Sequence, residues 1–484
     1  MKKIVSYILI AVALLGFFSF RLTQVPKGIT VDEAAFGYNG VLLSRTLHDE
    51  NGRFLPLFVL SIHGADWRQP VTQYFTAIMF KVFGASLLNL RLTAVIFTVI
   101  SIFLLFFLGK KLLSGIGGTI AAIFLATTPI IMIQSHMGLD NIDPVPFIIV
   151  WLLGLLLWSK SKKNFWLIIS GISMGIGYYS YKGVRVFEPV WIILTFIYLA
   201  EPFLKKLNRK NFAEIIKPVL TFGLSVLPFF IIIPYLEFLY SGAVLGGQHP
   251  AFEGIYKLLY PYLSMFDPSF LYIKGDDLLI HSTGTHGMYL LATLPFFIFG
   301  LIHSWKKGSF WKLMIASFFL GPLLFGLFGS VHRASRMLAE VPIYSLISAV
   351  GFLTLWQKKT KVLLAVFLVL FAFNYYDFMH YYLGRYAEDT QNLFYCFTCV
   401  EPQFKTLKAE SIKKDLVPYL DEVVAKRLDT AGDFARSIYF TVPPKTWDGK
   451  KEDLPKDAIL MTDNDKVGFL NLVDHVGNLY YYTY

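Results

Sequence analysis

The residues able to do chemistry are few and grouped. Asp32 and Glu33 adjoin in Thr30-Val31-Asp32-Glu33, Asp49 and Glu50 precede Asn51-Gly52, and Asp66 stands two residues before Arg68. Asp140 and Asp143 are three apart, as are Arg185 and Glu188. Arg333 and Arg336 repeat that spacing, between His332 and Glu340. Carboxylates can take a proton from a hydroxyl or hold hydroxyls, and arginines can grip an oxyanion with two parallel N–H bonds. Each group also has a plainer use. Thr30-x-x-Glu33 is a capping box and Asp32 suits a first helical turn. Asp49-Glu50 before Asn-Gly suits a turn. Asp140 and Asp143 suit the start of a helix. No His/Cys/Asp/Glu set has ligand spacing, so no metal or other cofactor is expected, although Asp140 and Asp143 leave room for a divalent ion.

Apolar elements must position these groups. The 484 residues are 55% hydrophobic, 17% aromatic and 16% charged, with a formal net charge of +11 and a mean hydropathy of +0.55. A soluble globular chain carries roughly 25% charged residues. Too little polar surface exists here for a soluble particle, and the hydrophobicity excludes disorder. Nucleic acid is not an expected partner: lysines and arginines gather in short clusters between apolar runs, with no basic helix and no stacking motif.

The apolar runs are Ile4–Phe20, Leu90–Leu108, Ile116–Ile133, Pro144–Trp158, Phe165–Tyr181, Val184–Leu204, Ile215–Pro234, Met288–Ile302, Leu313–Gly329, Met337–Trp356 and Val362–Met379. At roughly 20 residues per span they predict about eleven transmembrane helices. The first follows Lys2-Lys3 and reads as an uncleaved helix, since no small-x-small site precedes Arg21. Alternate connections hold the basic clusters, from Lys110-Lys111 to Lys358-Lys359. That bias puts them and the N-terminus in the cytoplasm and the C-terminus outside, in a plasma (inner) membrane. The chemistry-bearing residues then share the outer side. Acids and arginines together at one membrane face point to a lipid-linked phosphorylated substrate.

The connections differ in kind. In the first, Val31–Leu47 and Val71–Phe83 are expected as amphipathic helices on the outer membrane surface. The tail shifts to a soluble composition. It predicts a helix at Val417–Leu428 and short strands at Ser437–Val442, Ala458–Thr462, Val467–Val473 and Leu479–Tyr484. Cys396 and Cys399 fit a local disulfide or two free thiols better than a redox site.

Several motifs occur in a telling order. Asp32-Glu33-Ala-Ala-Phe-Gly-Tyr38 follows the first helix. Then come Trp67-Arg68-Gln69-Pro70 with Tyr74, Phe83-Gly84-x5-Leu90-Arg91-Leu92, Gly177-Tyr-Tyr-Ser-Tyr181 through Arg185, and His332-Arg333-Ala-Ser-Arg336 ahead of Pro342. Over roughly Met1 to Trp356 this resembles the C-type membrane glycosyltransferases, most of all the branch of protein O-mannosyltransferases and lipid A aminoarabinose transferases. The resemblance implies a polyprenyl-phosphate sugar as donor, inversion at the anomeric carbon, no catalytic metal and Asp32 as the base. The family's second acid has no clear counterpart, and Asp66 and Asp49 compete for it. Arg68 is a candidate phosphate contact. Glu33, Asp66, Arg68, Tyr74, Asp140, Asp143, Tyr181, Arg185, His332, Arg333 and Arg336 are the candidate donor- and acceptor-binding residues.

The expected architecture is an all-α polytopic membrane protein with a small extracytoplasmic α/β appendage, divided at 1–384 and 385–484. The expected activity is glycosyl transfer to an acceptor hydroxyl of protein, lipid or glycan, with membrane lipids around it. The alternatives are a transporter or flippase of lipid-linked saccharides and a non-catalytic envelope-assembly protein. Transporters, however, place charges near the bilayer midplane and often show repeats, and neither is seen here.

Overall fold

The computed structural model describes residues 2–204, 212–246, 252–328, 333–357 and 361–484. The chain forms two compact units. One comprises Met1–Phe20, Gln69–Thr72 and Ala94–Tyr386, the other Arg21–Arg68, Gln73–Thr93 and Ala387–Tyr484.

Among the described residues, six helices are long and apolar enough to cross a membrane: Leu87–Leu112, Asp140–Ser161, Ile216–Leu239, Ser309–Phe328, Ala334–Gln357 and Lys361–Gly384. Helices Gly115–Ala126 and Pro129–Ser135, bent by 63° at their junction, make a seventh if they form one span. Ile4–Phe18, Phe165–Tyr178 and Leu291–Ser304 are shorter apolar helices, and Glu188–Leu204 is a further one. Each apolar run picked out in the sequence holds a helix among its described residues. By length alone six or seven qualify as spans, fewer than the sequence count. The bend has a local cause. Pro129 has no N–H to donate, and the Thr127 and Thr128 hydroxyls donate back to the carbonyls of Ile123 and Phe124 at 2.7 and 2.6 Å.

Packing in the first unit uses small residues where backbones meet. A Cβ on Gly351 would lie 1.8 Å from the Phe296 carbonyl oxygen, and one on Gly300 1.9 Å from that of Ile347. Helices Leu294–Ser304 and Val341–Gln357 thus touch main chain to main chain, which only glycine permits.

In the second unit, helix Val31–Thr46 opens with the expected capping box: the Thr30 hydroxyl accepts the Glu33 N–H and the Glu33 carboxylate accepts the Thr30 N–H. It does not divide into an apolar and a polar face as a helix lying on a membrane would. Glu33–Gly37, Asn39–Val41 and Leu43 are all buried. The helix packs against Glu422–Tyr439 of the tail, where a Cβ at Gly37 would come within 2.7 Å of the Phe434 ring. Pro70–Phe83 is helical as expected.

The tail holds a five-stranded mixed sheet in the order Lys445–Trp447, Val417–Asp421, Ala458–Thr462, Leu479–Thr483 and Asn471–Val476. The first three strands are parallel and the last two antiparallel to their neighbours. Helix Glu422–Tyr439 links two parallel strands, the crossover such a pair requires. Tyr419, Trp447, Leu460, Val467 and Tyr482 form its core. Two expectations are corrected. Val417–Asp421 is strand rather than helix, and Ser437–Tyr439 is the last turn of a helix rather than strand. Cys396 and Cys399 form a disulfide.

Candidate active site

The sequence-derived residues fall into two groups, one in each unit. In the second unit the hairpin Val59–Ser61/Asp66–Arg68 carries Arg68 beside helix Val31–Thr46. The Arg68 guanidinium, 5% exposed, bonds Asp32 Oδ1 and Asp66 Oδ2, both at 2.9 Å. Its Nε donates to the Ser61 hydroxyl at 2.8 Å, and its plane lies over the Phe36 ring. Two carboxylates already match its charge, so Arg68 is not the bare phosphate contact expected. It fixes Asp32 instead, whose side chain stays 55% exposed and can meet a solute.

Glu33 has another task. It is fully buried and pairs with the fully buried Arg91 at 2.9 Å. Arg91 also donates to the carbonyls of Leu22 and Pro26, both at 2.9 Å, and to that of Gly28. Arg91 ties the start of the first loop to helix Leu87–Leu112. As a fully buried member of this pair, Glu33 is closed to substrate, which corrects its place among the candidate binding residues. Asp49 accepts the N–H groups of Asn51 and Arg53 at 2.9 and 2.8 Å, the turn role. Tyr74 donates to the Pro56 carbonyl at 2.6 Å. Glu50 bonds the Asn39 amide at 3.2 Å. Burial pushes the Glu50 carboxyl up to about 7; the Asn39 bond opposes this and the Asp433 charge adds to it.

In the first unit a cavity of about 630 Å³ is lined by Tyr178, Tyr181, Lys182, Arg185 and Arg336 on its polar side, and by Val186, Pro189, Val244, Leu245, Leu324, Phe325 and Phe328 on its apolar side. The short turn Lys182–Val186 presents Arg185. Its guanidinium donates to the carbonyls of Tyr178 (3.1 Å), Ala243 (2.9 Å) and Val244 (2.5 Å) and to the Gln69 side-chain oxygen. All four acceptors are neutral, so these bonds fix its shape, and the Asp140 and Glu188 carboxyls act on its charge from nearby. Arg336 lies over the Phe325 ring, and the Tyr181 hydroxyl donates to that of Ser335 at 3.5 Å.

Arg333 and Arg336 do not act as the expected matched pair. Arg333 is bonded to Asp276 at 3.2 Å, and the fully buried Asp276 also accepts the Ala334 N–H at 2.7 Å. Arg333 thus closes a loop, while Arg336 lines the cavity. Asp140 and Asp143 separate as well. Asp143 is buried and accepts the Thr72 hydroxyl, whereas Asp140 is half-buried. His332 lies outside the described residues. Among those described, no group of three or more His, Cys, Asp or Glu is placed to hold a metal.

Sequence reasoning missed Gln69, Tyr178, Arg91 and Asp276 as working residues. Arg91 carried a usable signal, a cation just inside a 26-residue apolar helix. Gln69 stood in the Trp67-Arg68-Gln69-Pro70 motif without being singled out, and Asp276 carried no signal, because its partners are distant in sequence.

Comparison with known proteins places this arrangement. Residues 67–233 match the family of dolichyl-phosphate-mannose-protein mannosyltransferases. The structure resembles that of ArnT from Cupriavidus metallidurans bound to undecaprenyl phosphate, with a TM-score of 0.58 and 10% identity, over 99% of this chain and 98% of that one. It also resembles the archaeal oligosaccharyltransferase AglB from Archaeoglobus fulgidus in complex with an inhibitory peptide and a dolichol-phosphate. There the TM-score is 0.50 and the identity 12%, over 90% of this chain and 64% of that one. No curated protein matches in sequence. The chain therefore shares its fold with ArnT, and over residues 67–233 its sequence resembles the dolichyl-phosphate-mannose-protein mannosyltransferases.

Proposed function

We propose that the protein is an integral membrane glycosyltransferase that moves a sugar from a polyprenyl-phosphate carrier to an acceptor hydroxyl on the extracytoplasmic side. The observation that carries this reading is the cavity at Arg185. It sets the Arg185 guanidinium, whose hydrogen-bond acceptors are all neutral oxygens, against an aromatic and aliphatic wall, the two surfaces a phosphate on a hydrocarbon chain needs. Undecaprenyl phosphate and dolichol-phosphate in the two similar structures support the same donor class.

In the reaction, the acceptor oxygen attacks the anomeric carbon with inversion. The new C–O bond forms as the bond to the phosphate oxygen breaks. The leaving phosphodiester becomes a monoester and gains a negative charge, which Arg185 and Arg336 stabilise in a partly dry cavity. The acceptor proton goes to a carboxylate base; the family resemblance gives that role to Asp32, which Arg68 holds within the second unit. The test is release of free polyprenyl phosphate from a panel of polyprenyl-phosphate hexoses and pentoses, with cell-envelope extract as acceptor source. Folded protein that releases none from any donor would overturn the reading.

A further inference from the structure

The second unit contains a cavity that donor chemistry does not use. Its volume is about 510 Å³, within the roughly 300–1,000 Å³ of small-molecule sites. Two ion pairs and a histidine–carboxylate hydrogen bond edge it: Glu422–Lys426 at 2.6 Å, Asp433–Arg436 at 2.7 Å and His63–Asp429 at 3.0 Å. Phe404 and Leu420, both buried, form an apolar floor.

The pairing decides what can bind. Each carboxylate already faces a cation or the His63 imidazole, so neither a phosphate nor an ammonium group finds an unmatched charge there. What remains is a ring of spare carboxylate lone pairs and N–H donors over an aromatic surface. The Arg436 Nε–H is buried and meets no acceptor among the described residues. A neutral molecule with several hydroxyls meets these conditions: each hydroxyl both donates and accepts, and the apolar face of a sugar ring suits the floor. His63 and Asp429, which close one edge, both have positive φ, at 53° and 47°. Asp429 also breaks helix Glu422–Tyr439 there, a strain of the kind that gathers at binding sites.

We propose that this cavity is a carbohydrate site that takes one or two pyranose rings by their hydroxyls. Resting on the transferase reading above, it receives the glycan portion of the acceptor.

The experiment is saturation-transfer NMR on the full chain in nanodiscs, with methyl glucoside, galactoside and mannoside, maltose and cellobiose as probes. Binding of polyprenyl phosphate is read on the same samples. At least one glycoside is expected to receive saturation. Ala425→Trp, which fills the cavity from its lining, should cut that signal at least fivefold and leave polyprenyl-phosphate binding unchanged. Arg436→Lys keeps a cation for Asp433 but removes the planar guanidinium from the cavity lining, and should also weaken the signal. The proposal is overturned if no probe is saturated by protein that binds polyprenyl phosphate, or if both variants leave the signal intact. Saturation of a Ser/Thr-containing peptide in place of every glycoside overturns it too. Glycoside binding that persists where polyprenyl-phosphate binding is absent upholds the site and removes its acceptor role.

Discussion

Arg185→Gln separates a phosphate-binding cavity from a merely structural arginine. Arg185 makes four hydrogen bonds to neutral oxygens and forms no ion pair among the described residues. A phosphate about 5 Å from the guanidinium, at an effective dielectric constant of about 20, is attracted by roughly 3 kcal/mol. Removing the charge should therefore weaken polyprenyl-phosphate binding by about 10²-fold. The four bonds also brace the turn, and three backbone carbonyls lose a donor, so a lower Tm is expected as well. Arg185→Lys isolates the charge, since it keeps the cation but loses the planar fork. It should retain most of the electrostatic term and bind within about tenfold of the original, while its Tm falls nearly as far as that of the glutamine variant. The assay is titration of nanodisc-embedded protein with polyprenyl phosphate, normalised to folded protein. Equal affinity losses in both variants would show that shape rather than charge matters. Unchanged affinity in Arg185→Gln would refute the donor site.

Other perturbations give separable outcomes. Asp32→Asn should lower turnover by about 10²-fold or more with donor binding kept, as initial rates at saturating donor would show; near-normal rates would remove it as base. Arg91→Ala leaves Glu33 buried without its partner, and breaking a buried pair this way costs about 3–5 kcal/mol, so yield and Tm should fall sharply; a stable variant would contradict the buried pairing. Gly37→Leu drives a side chain into the Phe434 ring and should destabilise by about 1–3 kcal/mol in denaturant melts; a melt unchanged from that of the parent would argue against the contact. Glu50 is raised to about 7 from 4.5, so folding favours its protonated form. Its contribution is fully present below pH 4.5 and is lost as pH rises through 7. Glu50→Gln should flatten the Tm profile in that window, and an identical profile would reject the shift.

Local signals in the sequence located the helices and many of the site residues, and non-local ones were lost. The apolar runs, the capping box at Thr30 and Glu33 and the turn at Asp49 depend on neighbours within a few residues, so pattern alone places them. The burial of helix Val31–Thr46 was not legible, because the face that covers it lies in Glu422–Tyr439. Ser437–Tyr439 looks like strand by its own residues but continues a helix that packs through Phe434 and Ala435. For the candidate site, the arginines between the apolar runs stood out by type. Which of them kept a usable charge depended on partners: Asp276 for Arg333, Asp32 and Asp66 for Arg68, and neutral carbonyls for Arg185.

The second unit is assembled from the two ends of the chain, and this orders events in time. Arg45 donates to the carbonyl of Ser437, 392 positions later. At about 5–20 residues per second of synthesis, the first loop waits roughly 20–80 seconds for the Phe434 ring that packs against Gly37. During that interval its apolar residues are open to the bilayer, to chaperones and to proteases. A chain whose synthesis stalls before the tail would carry the membrane helices but an uncovered loop. The face of helix Val31–Thr46 that meets the tail is completed only after nearly all of the protein has been made, although Arg91 and Arg68 hold the loop's own residues from the start.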